Sequence, residues 1–249
     1  MIDVAGRANR SMVRICSSML SQLNALVNSP VTLSRYGLGR LMYLVNETLV
    51  TLDSQARSTP MSLSDHLSER SRAIDDIAER VNAIMGDEPA VTLARQLEPL
   101  VCELADALGN HALPDTVASR FGTVRLTDYL RANVIVVVDL SIDEFEIAER
   151  PAMTESVHAL TQVLTERYPG HTIEVRIPPY AAVQVGALTA GPSHTRGTPP
   201  NVVEFEPQAF WQLATGRQSW SRAIEAGALT SSGVHAAETA RMFPIVKIR

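Results

Sequence analysis

The stretch "VVEFEPQAFWQLATGRQSWSRAIEAGALTSSG", residues 202–233, carries most of the information about the fold. Its first five residues read as a strand, and Pro207 suits the first turn of a helix, where its missing N–H costs nothing. Gly216 ends that helix. Ser219 opens a shorter one that stops at Gly227, and "ALTSSGV" returns as another strand. The chain is only 5% aromatic, yet both tryptophans lie here with Phe205 and Phe210. Phe210 shares a helix face with Leu213 and Ala214 and is expected in the core. Trp211 lies about 100° further round, so it is not expected to share that face fully.

Upstream, "AMTESVHALTQVLTERYPG" reads as a helix capped by Thr154 and stopped by Pro169 and Gly170. "TIEVRIP" alternates Ile173, Val175 and Ile177 against polar residues, the period of a half-buried strand. "YAAVQVGAL" is its expected partner, "AGPSHTRGTPPN" a Gly/Pro-rich loop, and "HAAETARMF" a last helix. Residues 149–249 thus predict a compact α+β domain of ordinary size.

Residues 1–148 have a different period. Met12, Cys16, Met19, Leu20, Leu23 and Val27 recur at helical spacing, as do Leu41, Leu44, Val45, Thr48 and Leu52. "SLSDHLSERSRAIDDIAERVNAIMG" begins with Ser62 and Asp65 placed for capping and ends at Gly86. Leu93, Leu97, Leu100, Val101, Leu104 and Leu108 make a fourth stripe. Stripes that cannot bury themselves alone predict an all-α up-and-down bundle. The β-branched run Val134–Val138 favours a strand by propensity, but a bundle offers it no sheet, so a helix is expected. The segment 141–151, with Glu144 and Glu146, reads as a charged linker.

The 202–233 pattern, with its "LATGR" helix end and "EVRIPPYAAVQ" before it, resembles the actinobacterial branch of the sterol carrier protein family. The first half, best in "LPDTVASRFGTVRLTDYLRANVIVVVDL", resembles the DinB-like bundle of mycothiol-dependent maleylpyruvate isomerases. That second resemblance implies a divalent metal held by a His on the second helix and a Glu-x-x-x-His on the last. At those positions this chain has Leu44 and the Val136–Leu140 stretch, where Asp139 is the one carboxylate. The expectation is therefore no metal, no cofactor and no catalytic residue.

What the sterol-carrier resemblance implies instead is a non-catalytic binding protein for a lipid, acyl or other apolar ligand. Trp211 or Trp220 would border the site in front of Phe210, with Arg196 in the loop meeting an anionic head group. A mycothiol-dependent isomerase or transferase with another constellation, and a structural or scaffolding protein, stand as alternatives. The net charge of −5 gives no ground for nucleic-acid binding. No stretch is long and apolar enough to span a membrane, and a cytoplasmic protein is expected. Cys16 and Cys102 read as packed thiols, and His66 and His111 as solvated surface histidines.

Overall fold

A computed structural model of the chain describes residues 4–29, 33–109, 113–189 and 201–248. The protein is α+β and divides into two compact units, residues 1–155 and 156–249.

The first unit is a helical bundle. Its helices are α1 (Val4–Val27), α2 (Arg35–Leu52), α3 (Leu63–Arg72), α4 (Ile74–Met85), α5 (Ala90–Gly109) and α6 (Leu126–Phe145). α1 and α2 each pack on both α5 and α6. The stripes meet as their spacing demands: Leu41, Leu44 and Val45 are buried with Leu93, Leu97 and Leu104. Val134–Val138 is helical, in the middle of α6 and buried throughout, because the bundle walls it with side chains rather than strands.

Local readings need three corrections. The helix expected over 62–86 breaks at Ala73 into α3 and α4. Residues 116–125 form a hairpin, β1 (Thr116–Ser119) against β2 (Gly122–Arg125), and α6 begins directly after Arg125. Gln55 and Met61 bridge to Val117 and Val124, giving this short hairpin the extra pairing that two strands alone lack. Finally, the 141–151 segment is no solvated linker. Glu144 accepts hydrogen bonds from Ser34 N (2.8 Å) and Ser34 Oγ (2.6 Å) at the start of α2. Gln22 donates to Ser141 Oγ and accepts from Glu149 N.

The second unit is built on a sheet of order β4-β3-β5-β6. Its strands are β3 (Ile173–Ile177), β4 (Ala181–Val185), β5 (Asn201–Phe205) and β6 (Leu229–Ser232). β3 and β5 run parallel, while β4 and β6 flank them antiparallel. Ile173, Val175, Ile177, Val203 and Phe205 are buried along the strands. The helices are α7 (Arg150–Arg167), α8 (Pro207–Ala214) and α9 (Trp220–Glu225). α7 starts four residues before Thr154, whose hydroxyl instead bonds back to the Arg150 carbonyl. The last predicted helix is a 3₁₀ segment, Ala236–Met242.

The division between units falls inside α7. A fragment of residues 149–249, which keeps the whole of α7, is expected to unfold cooperatively in urea with a native near-ultraviolet spectrum. A second fragment starting at Ser156 loses six helical residues and should have a lower midpoint. Failure of the longer fragment to show a cooperative transition would contradict an independent domain.

Candidate functional site

The bundle positions that the isomerase resemblance assigns to metal ligands carry Leu44, Val136 and Leu140, all buried and without donor atoms. Asp139, 1% exposed, is engaged by Arg40, whose Nη2 lies 2.6 Å from its Oδ2. Arg40 Nη1 also meets Asp143 at 3.0 Å, one turn further along α6. A guanidinium thus stands against the carboxylate, and these side chains do not fit a divalent ion. Among the described residues no group of three or more His, Cys, Asp or Glu side chains is placed to hold a metal.

A second polar cluster was missed by sequence reasoning. His66, expected in solvent, is 1% exposed on α3, with its ring edge-on to Phe121 (5.6 Å) and Tyr129 (5.8 Å). Its Nδ1 is buried with no hydrogen-bond partner. The hairpin that the sequence did not announce supplies Phe121, which explains the error: "DHLSERSR" reads as a polar helix until something covers it. Arg70, one turn on, packs over the same ring at 5.9 Å, and Arg120 at 5.4 Å.

The cysteines differ from each other. Cys16 is buried, and burial pushes its thiol up to about 11, so it stays protonated and inert at neutral pH. Cys102, expected to be packed, is exposed, because it lies just off the α5 stripe.

In the second unit the rings form one packed cluster. Phe205 meets Phe210, Trp220 and Phe243, each at 5.7 Å between centroids, and Phe243 meets Phe210 at 5.8 Å. Trp220 and Phe243 are the half-buried members. Trp211, contrary to its expected offset, is fully buried. Its indole N–H donates to Ser156 Oγ at 2.7 Å, and Arg217 stacks on it at 5.3 Å. Helix α8 is therefore covered on more than one side, which a single helical stripe does not reveal. Arg196 and His111 lie outside the described residues.

Two open depressions mark this unit. One, of about 290 Å³, is lined by Pro178, Phe205, Pro207, Ala228 and Leu229, with Glu204, Glu206 and Thr230 among its polar neighbours. The other, of about 470 Å³, lies between α7 and β4, with His158, Thr161, Gln162 and Thr165 on its helical wall and Ala181, Ala182 and Val183 on its strand wall. Further along, Glu238 accepts from Leu188 N (2.6 Å), Thr189 N (3.0 Å), Thr189 Oγ1 (2.5 Å) and His235 Nδ1 (2.8 Å). Those bonds, led by Thr189 and His235, draw its carboxyl down to about 2. The chain end entering the 190–200 segment is thereby clamped to the 3₁₀ segment.

A two-unit α+β chain with a ring-filled second unit is the class that this geometry defines. Residues 149–245 match the family described as "Bacterial SCP ortholog", so this part of the chain is similar to that family. Among solved structures the chain is similar to a mutant of the mycothiol-dependent maleylpyruvate isomerase. The identity is 15%, over 91% of this chain and 94% of that one, with a TM-score of 0.46. No curated protein matches the chain.

His66 makes the buried cluster measurable. Burial, and then the Arg70 charge, lower its pKa to about 4 from the ordinary 6.5. The unfolded chain therefore binds the proton first as pH falls. His66's contribution to stability is intact above about 6.5 and is lost progressively down to about 4. Comparing wild type with His66→Met in urea, the stability difference should change by about 3 kcal/mol across that window. Parallel pH profiles would contradict the assignment.

Proposed function

We propose that the C-terminal unit is a non-catalytic binding module for an apolar ligand carrying an acyl or similar chain. The match of residues 149–245 to the sterol carrier family carries this reading. The depression over Phe205 supports it: Pro178, Phe205, Pro207, Ala228 and Leu229 give it an apolar side, and at about 290 Å³ it suits a short chain or the end of a longer one. Phe205 is also in ring contact with Trp220, so a ligand there perturbs an emitting residue. In this proposal Phe210, in ring contact with Phe205, forms the wall behind the site, and Arg196 receives an anionic head group. The bundle, with Leu44, Val136 and Leu140 at the ligand positions and Asp139 held by Arg40, is read as a degenerate metal site.

Burial of apolar surface at about 25 cal/mol per Å² brings a chain of modest length to micromolar affinity. Tryptophan emission of the full chain should respond saturably to a chain-length series of saturated fatty acids. Trp220→Phe should remove most of the signal while calorimetric binding persists. Arg196→Ala should weaken the acids about tenfold and leave their methyl esters little changed. Unchanged emission across the series, with no apolar molecule co-purifying, would leave the scaffold reading, which the close ring packing also favours.

A further inference from the structure

The bundle interior holds a cation without a counter-ion in contact. Arg70 keeps 8% of its surface in solvent, and its Nε is buried with no hydrogen-bond partner. Among the described residues no carboxylate lies within ion-pair distance of it. Its neighbours are otherwise committed. Arg120 donates to Tyr43 Oη at 2.7 Å and pairs with Asp76. Arg40 is taken by Asp139 and Asp143. Tyr129 donates to the Glu47 carbonyl at 3.2 Å. Glu47, half-buried on α2, acts on Arg70 only through space, as do the Tyr43 and Tyr129 hydroxyls, while Arg40 opposes it.

A buried guanidinium costs heavily in desolvation unless a hydrogen-bonded anion compensates it, and stacking on Phe121 recovers only part. We propose that Arg70 is the anchor of a binding site for a small oxoanion, of carboxylate or phosphate type, inside the bundle. The guanidinium supplies parallel N–H donors in the fork that such anions accept. Tyr43, whose oxygen already accepts from Arg120, has its own O–H to donate. Phe121, Tyr129 and the His66 ring form apolar walls that strengthen these bonds by excluding water. Arg70 is more than nine-tenths covered, so the proposed occupant is small. This site is separate from the one proposed for the C-terminal unit and does not rest on it.

The test uses the full chain at constant ionic strength, with sodium acetate and sodium phosphate each replacing sodium chloride. Binding is read by calorimetry and by the thermal midpoint. One anion or both should give a saturable response, and the arm that saturates at the lower concentration names the chemistry. Arg70→Met should weaken that response roughly tenfold or more. Arg72→Gln, on the same helix but exposed, should leave it unchanged. Glu47→Gln should strengthen it by removing a like charge. Should Arg70→Met not fold, Arg70→Lys keeps the charge without the fork and should weaken binding in the same sense. Absence of a saturable response to both anions, or an equal response in the Arg70 variants, overturns the proposal. So does loss of stability in Glu47→Gln without any gain in anion affinity, since Glu47 would then be the counter-ion.

Discussion

The ion pair between Arg40 on α2 and Asp139 and Asp143 on α6 sets what the bundle interior can be. Two carboxylates four residues apart on one helical face meet a single fork, which fixes the helices in register as well as in contact. Leu44 and Val45 follow one turn later on α2, and Val136, Val137 and Leu140 surround Asp139 on α6. These five are all buried. Removing one partner of such a buried pair typically costs about 3–5 kcal/mol, because the other charge is stranded. The same pair excludes a second cation from Asp139. Two further polar pairs of the interior close on each other: Asn133 donates to Thr48 Oγ1 at 3.1 Å, and Gln22 to Ser141 Oγ at 2.9 Å.

The C-terminal unit is constrained by its rings. Phe205 sits at the end of β5, where the strand hands over to α8, and it touches Phe210, Trp220 and Phe243 at once. Trp211 turns away from that cluster to α7, where Ser156 satisfies its N–H. A tryptophan with a bonded N–H can be wholly buried without penalty, so α8 serves two contacts with eight residues. What is left for a ligand is the surface beside Phe205 rather than a void among the rings.

Much of this was legible in the sequence. The heptad-like stripes placed α1, α2 and α5, the alternation of Ile173, Val175 and Ile177 placed β3, and "EPQAF" placed the start of α8. Even Val134–Val138 was readable once its surroundings were considered, since context overrides β-propensity where no sheet exists. What escaped reading depends on contacts distant in sequence. The hairpin at 116–125 is held by Gln55 and Met61, some sixty residues away, and without it His66 and Arg70 look like an ordinary solvated helix face. Trp211 was misjudged because helical periodicity reports one face, whereas Ser156 lies 55 residues upstream. Cys102 shows the reverse limit, since a position beside an apolar stripe can still face water.

We propose that an internal ion pair stands in the bundle in place of metal ligands and that the C-terminal unit binds an apolar ligand. Native mass spectrometry of the full-length chain, purified without chelator, addresses both halves of that claim together. The account predicts a protein mass without stoichiometric zinc or other divalent metal, carrying in some fraction an adduct of an apolar small molecule that survives gentle desolvation. A uniform mass increase of one divalent ion per chain, lost on acidification, would contradict it.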